Sequence, residues 1–423
     1  NNINYFYSTY IYIIDILVMV VLMKNYIIIG IGIAVLIISS IFIYQYFRVK
    51  NAKIEVVLED NLNVEFLDKV KVSDFIKSIN GKIIDDYIID TTEIGKQKIS
   101  FKFINDENIQ VEYSYDIAVI DSIPPLVWLN NSYNVNVGSD DTLIQDILCG
   151  DNYDSNPICQ IVGEYDLNEV GSYNLVFKAT DSSGNITEKE FVLNVKKPSS
   201  SGSNSSSGIV NKTDFNDVID NYKNANTEIG IDVSKWQGDI DFEALKNAGV
   251  EFVIIRVGTA DGIDGDYLLD SKFEQNIKGA NAADIPVGIY FYSYANSNKR
   301  AKADAKWVIE QLEGHEIDLP IAFDWENWSF YNEFNLSFFE LSDMADSFLN
   351  VVNNAGYEGM LYSSKTYLEN IWLELEYPVW LAHYTKNTNY AGKYTYWQLC
   401  NNGRVDGING DVDINIRYLN ATE

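Results

Sequence analysis

The segment Phe323-Asp324-Trp325-Glu326 sets two carboxylic acids one residue apart, directly after the apolar run Leu319-Pro320-Ile321-Ala322. In extended backbone alternate side chains share a face, so Asp324 and Glu326 point the same way if the run is a strand. Two carboxyls facing one cleft are what hydrolysis of a glycosidic bond needs: a protonated acid for the leaving oxygen and an ionised group for the developing cation. Like charge and partial burial push their proton affinities apart, which keeps one of them protonated near neutral pH. A helix cap or an ion pair with Arg or Lys would use the same two acids, and an Asp-x-Glu triplet alone does not choose between these roles.

The elements around the triplet narrow the choice. From Glu228 onward strands alternate with helices, the pattern of a parallel βα architecture. Ile229–Val233 reads as a strand and Asp241–Ala248 as a helix, stopped by Gly249. The cycle repeats with strands at 252–257, 287–292, 319–325 and 359–362, and helices at 271–283, 298–312, 336–354 and 365–373. Three more strands follow at 379–384, 394–398 and 411–414, giving eight strands and five helices. A barrel of this kind gathers its active site where the strands end and loops leave the core. Asp232 closes the first apolar strand and Asp413 lies in the last, so two further acids are expected beside Asp324 and Glu326.

These segments resemble the glycoside hydrolase family 25 lysozymes, the Chalaropsis-type N-acetylmuramidases. The likeness is carried by Gly230-Ile231-Asp232-Val233-Ser234-Lys235-Trp236-Gln237-Gly238, Phe252-Val253-Ile254-Ile255-Arg256-Val257-Gly258, and Pro286-Val287-Gly288-Ile289-Tyr290-Phe291-Tyr292. It continues through Leu319 to Glu326, Trp380-Leu381-Ala382-His383-Tyr384, Tyr396-Trp397-Gln398 and Val412-Asp413-Ile414-Asn415. The resemblance implies a flattened (β/α)5(β)3 barrel that cleaves the β-1,4 bond between N-acetylmuramic acid and N-acetylglucosamine, without a cofactor. It implies Glu326 as general acid and then base, and Asp324 either as nucleophile or as support for participation by the substrate's N-acetyl group. Asp232 and Asp413 match the remaining carboxylates of the family, with a rim ion pair to Arg256 as the plain alternative. Tyr290, Tyr292, Trp325, Tyr384 and Trp397 suit stacking on sugar faces, and Arg256 joins them as a substrate contact. Leu399-Cys400 departs from the expected pattern after Trp-Gln, and Cys400, with no base arranged beside it, reads as inert. His383 reads as a structural histidine or a substrate contact.

Residues 49–197 read differently, as alternating strands at 54–58, 99–103, 173–177 and 191–195. Glu93-Ile94-Gly95 with Phe101-Lys102 recurs 76 residues later as Glu169-Val170-Gly171 with Phe177-Lys178, the mark of an internal repeat. The second copy, residues 122–197, resembles bacterial immunoglobulin-like sandwich modules, and the first, residues 49–121, shares its turn-and-strand pattern. No catalytic constellation falls in either, so both are expected to be spacers. The acids Asp140, Asp141, Asp151 and Asp154 lack EF-hand spacing and are expected to be solvated turns rather than calcium ligands. Cys149 and Cys159 can pair only if folding brings them together.

Residues 26–47 are almost wholly apolar and uncharged, long enough at about 1.5 Å per residue to cross a bilayer core of roughly 30 Å. No small-residue cleavage site closes the run, so an uncleaved anchor is expected rather than a removed signal peptide. Arg48, Lys50 and Lys53 favour a cytoplasmic C-terminal side, whereas a cell-wall substrate requires an extracellular head; long translocated domains override such a bias. Met23-Lys24 has the look of a natural start, making residues 1–25 a cytoplasmic or spurious extension. Residues 198–228 begin with a Ser/Gly run that reads as a flexible linker and end in a polar lead-in to the barrel at 229–421.

The net charge of −30 disfavours nucleic acid or anionic lipid headgroups as partners and suits a glycan. With two His and no Cys-x-x-Cys pair, no metal is expected. Oligomeric state is left open by the sequence. The competing functions are a non-catalytic peptidoglycan-binding surface protein, which loss of Glu326 or Asp324 would mark although both acids are present, and an adhesin whose working part is the sandwich repeats.

Overall fold

A computed structural model describes residues 2–198 and 212–420, and its chain divides into two units, Asn1–Asp121 and Ser122–Glu423. The Ser/Gly run at 199–208 lies outside the described residues.

The first unit opens with one continuous helix, Asn2–Lys50, of 49 residues. The apolar run at 26–47 is therefore the later part of a longer element. Its stretch Ile14–Lys50 is long and apolar enough to cross a membrane, and its described apolar side chains are not covered by protein. The rest of the unit is a four-stranded sheet with a two-stranded sheet beside it. Its long hairpin pairs Gly95–Asn105 with Gln110–Ile120, and Asn63–Glu65 runs parallel to the second arm. Alternation along the arms buries Ile99, Phe101 and Phe103 against Val111, Tyr115, Ile117 and Val119.

The second unit begins with the same arrangement. Gly171–Thr180 pairs with Ile186–Lys196, and Ser132–Asn136 runs parallel to the second arm. The hairpin arms start at residues 95 and 110 in the first copy and at 171 and 186 in the second, the 76-residue step of the sequence repeat. Cys149 and Cys159 are joined by a disulfide in the second copy. Asp140 and Asp141 are exposed as expected, but the expectation of a solvated turn fails at Asp151. Asp151 is 1% exposed, and its Oδ1 accepts hydrogen bonds from the backbone N–H groups of Tyr153 and Asp154. Asp154 in turn accepts from the N–H of Ser182 at 2.8 Å, so these acids tie loops together.

The barrel follows. Its strands are β1 (Thr227–Val233), β2 (Phe252–Ala260), β3 (Val287–Tyr292), β4 (Ile321–Asp324), β5 (Gly359–Ser364), β6 (Val379–Ala382), β7 (Tyr396–Arg404) and β8 (Val412–Tyr418). Pairing is parallel from β1 through β7, and β8 closes the ring by running antiparallel to both β7 and β1. Helices α1 (Phe242–Asn247), α2 (Phe273–Ala282), α3 (Asn298–Gln311), α4 (Phe338–Asn354) and α5 (Lys365–Asn370) connect the first six strands. Caps fix where they start: Asp241, Ser297 and Ser337 each accept a hydrogen bond from a first-turn N–H, and Ser337 with Glu340 forms a capping box.

Two apolar layers result from the period-two alternation of the strands. Outward residues such as Ile231, Ile255, Phe291, Phe323, Leu361 and Ile414 join the helices in the main core. Inward ones, among them Phe252, Ile254, Ala322, Met360, Trp380 and Tyr396, fill the barrel. At Gly230 the wall leaves no space: an added Cβ would lie 2.4 Å from the Phe252 carbonyl oxygen.

The lead-in is part of the barrel, not a tether to it. Thr213–Asp214 pairs with β7, and the helix Phe215–Tyr222 buries Phe215 and Val218 in the main core. The expected boundary at 228 therefore moves back to about 212.

Candidate active site

Alternation also decides which polar side chains reach the barrel's interior. On β4, Ile321 and Phe323 face the helices while Ala322 and Asp324 face inward, and Glu326 continues the inward series just past the strand. Asp232 on β1 and Asp413 on β8 lie directly opposite each other across an antiparallel pair. Because β8 runs against the other strands, its beginning lies at the same mouth as the C-terminal ends of β1 and β4. Three neighbouring strands set Tyr292, Asp324 and Tyr362 side by side in register. All four expected acids thus share one mouth.

Their protonation follows from that crowding. Asp324 is 3% exposed, and its carboxyl is held well above the ordinary range, first by burial, then by the Glu326 charge and a hydrogen bond with Glu326, then by Asp232; Arg256 opposes this. Glu326 is also raised by burial, with the hydrogen bond from Asp324 acting against it. The Glu326 side chain is exposed at the mouth, so its desolvation is weaker than that of Asp324. Two carboxyls in hydrogen-bond contact titrate as one system and can share a proton. The second oxygen of Asp324, Oδ1, is buried with no hydrogen-bond partner, an acceptor left unsatisfied by the protein.

The opposite pair is held by amides. The Asp232 Oδ2 accepts from Asn415 Nδ2 at 2.8 Å and from Gln398 Nε2 at 2.9 Å. These bonds oppose the upward push of burial on Asp232. Asp413 is pushed up to about 9 by burial and then by the Asp232 charge. Gln398 also accepts from the hydroxyls of Tyr362 (2.9 Å) and Tyr384 (3.0 Å), and Asn415 accepts from Trp380 Nε1 at 2.8 Å. The sequence places Trp380, Gln398 and Asn415 in the matching segments without giving them a role, and nothing in it marks Tyr362.

The aromatic set divides. Tyr290 and Tyr292 face the acids: burial raises both hydroxyls first, with the charges of Asp232 and Asp324 next for Tyr290 and those of Asp324 and Glu326 for Tyr292. Tyr384 stands exposed at the rim over Gln398. Trp325 and Trp397 correct the expectation. Trp325 has no exposed surface, packs outward against Trp328 and Phe334, and donates Nε1–H to the Ala295 carbonyl. Trp397 likewise points outward, at 3% exposure, and donates to the His383 carbonyl. Neither can stack on a sugar in the barrel. Arg256 does face the acids, but its ion pair is with Asp270, at 2.6 Å, rather than with Asp232 or Asp413. His383 bonds Thr388, and Cys400 is buried with its thiol pushed up by burial.

The Asp413 shift has a direct consequence for stability. Its folded pKa near 9 lies above the ordinary 3.8. Below about pH 4 both states are protonated; as pH rises the unfolded chain ionises first, and stability falls until about pH 9. Asp413→Asn removes that penalty. The variant should gain about 1–2 kcal/mol at pH 8 and almost nothing at pH 4, while losing activity. Thermal melts at the two pH values check this, and an equal change at both would refute it.

The profile described as "Glycosyl hydrolases family 25" matches residues 231–408. Those residues form a family 25 glycosyl hydrolase domain. An autolytic lysozyme of Clostridium acetobutylicum is 28% identical over 188 residues, 44% of this chain and 54% of that protein. Lysozyme M1 of Streptomyces globisporus is 29% identical over 205 residues, 44% of this chain and 66% of its own length. Among solved structures, the modular autolysin LytC from Streptococcus pneumoniae, in complex with a synthetic peptidoglycan ligand, has a TM-score of 0.42 at 23% identity, covering 57% of this chain and 56% of that one. The barrel is a glycoside hydrolase domain, and the chain spans about half the length of the autolytic relative it matches.

Proposed function

We propose that the chain is a cell-wall lysozyme that hydrolyses the β-1,4 bond between N-acetylmuramic acid and N-acetylglucosamine in peptidoglycan. The observation that carries this is the meeting of Asp324, Glu326, Asp232 and Asp413 at one mouth of the barrel, with the first two hydrogen-bonded to each other. Glu326, reachable from solvent, donates the proton to the leaving oxygen and then takes one from water. Asp324 touches Glu326, far inside the roughly 6.5–9.5 Å that an inverting pair keeps for its water, so retention of configuration is expected. The unpartnered Asp324 Oδ1 would accept the N–H of the substrate's acetamido group and steady its attack on the anomeric carbon. Asp232 and Asp413, held by Gln398 and Asn415, fix the charge around that centre, and Tyr290, Tyr292 and Tyr384 supply its aromatic wall.

We further assign the barrel a (β/α)5(β)3 layout, residues 56–120 and 126–196 two immunoglobulin-like modules, and the N-terminal helix the role of a membrane anchor holding the head outside the cell. The full chain in detergent, incubated with purified peptidoglycan, should generate new reducing ends at muramic acid. None appearing where a known muramidase works would refute the enzyme reading.

A further inference from the structure

The second β-module does not hang free of the barrel. Leu148 belongs to the barrel's own core cluster, with Leu126 and Trp128 packed on it. The N–H of Phe338, at the start of α4, donates to the Asp151 carbonyl at 2.8 Å. Contact at Gly150 is so close that a Cβ there would stand 2.7 Å from Phe338 and 2.8 Å from Tyr331. The surface so engaged is the chain just after Glu326, and it leaves a groove of about 430 Å³ lined by Trp128, Asn130 and Lys189 of the module and Trp328, Thr366 and Tyr367 of the barrel. That volume falls within the roughly 300–1,000 Å³ of small-ligand sites.

We infer that this groove is a glycan subsite, in which the module binds the strand beyond the bond being cut. The inference rests on the hydrolase reading above, and it replaces the expected spacer role for this module. Continuity with the acids supports it. Trp328 follows Glu326 by two residues, and Tyr367 stacks on Trp328 at 3.8 Å and meets Trp128 at 5.0 Å. Tyr367 also lies within the field of Glu326, whose charge adds to burial in raising its hydroxyl. Aromatic row, amide, hydroxyl and ammonium are together the groups that hold an amino sugar. Lys189 spends one donor on the Val127 carbonyl at 2.7 Å, which leaves two for the lactyl carboxylate of a muramic residue.

The test uses the full chain in detergent and two probes: long glycan strands freed of stem peptides, and a tetrasaccharide of the same alternating sugars. Asn130→Trp fills the groove while keeping the module's packing; Trp128→Ala removes its ring. For Asn130→Trp the ratio of kcat/KM on long strands to that on the tetrasaccharide should fall about tenfold, through KM, and Trp128→Ala should follow in the same direction. An unchanged ratio, or equal losses on both probes, would overturn the subsite and leave the module a structural prop. If the native chain cuts neither probe, the hydrolase reading fails by itself. Equilibrium binding then decides the groove: tighter binding of long strands that Asn130→Trp abolishes upholds it, and binding that Asn130→Trp leaves intact rejects it.

Discussion

Glu326→Gln is expected to lower kcat on peptidoglycan by about three orders of magnitude with KM nearly unchanged. The amide keeps the shape of the side chain and its place at the mouth, but it can neither give a proton to the leaving oxygen nor take one from water, and such transfer contributes about 10²–10⁴ in rate. The substitution also dissolves the shared-proton system, since Asp324 loses the ionised neighbour that helps hold its carboxyl high. Asp324 then ionises more readily and stands as a lone charge beside a neutral amide, a state that binds an acetamido group but has no acid to complete cleavage. Release of reducing ends under single-turnover conditions measures the loss. Turnover within tenfold of the native chain would remove Glu326 from the acid role.

Much of the barrel was legible because its signals are local. Apolar runs of strand length alternate with helices that begin at Asp241, Ser297 or Ser337, residue types that favour capping of first-turn N–H groups and do so here. The β-modules were legible through their repeat, since equal spacing of matching turns survives without knowledge of any partner strand. What escaped was non-local. The two-residue strand Thr213–Asp214 exists only because β7 offers it an edge, and no window of sequence around it carries that information. The pairing of Arg256 with Asp270 depends on a return of the chain after β2, so an ion pair with the strand acids looked equally natural in the sequence.

The errors over Trp325 and Trp397 are of another kind. The alternation that put Asp324 and Glu326 on one face also puts Trp325 on the other, and it sets Tyr396 and Gln398 against Trp397 in the same way. A large aromatic can stack on a sugar only where that parity turns it inward. Parity applied throughout would have selected Gln398 and Asn415 as partners of the acids, because Asn415 is two residues from Asp413 on the same strand. The docking of the second module on the chain beyond Glu326 had no such signal, since Leu148, Gly150 and Phe338 meet only after both partners have folded.

Asp324→Asn is expected to lower kcat about a hundredfold and to move the alkaline limb of the pH profile to lower pH. The sign follows from what holds the proton. In the native pair the final ionisation places a second negative charge against the first within a desolvated mouth, and that repulsion delays loss of the proton needed for catalysis. With Asn at 324 the repulsion is gone. Burial and the Asp232 charge still raise Glu326, but it deprotonates earlier, so the fraction of enzyme carrying the acid falls sooner as pH rises. The limb should move by about one unit or more, since two charges in contact within a protein interact by several kcal/mol and each pH unit corresponds to about 1.4 kcal/mol. The rate loss adds the missing carboxylate that would accept the acetamido N–H. A profile that keeps its alkaline limb in place, whatever the fall in kcat, would mean that Asp324 carries no charge against Glu326 during turnover, and the shared-proton account would fail with it.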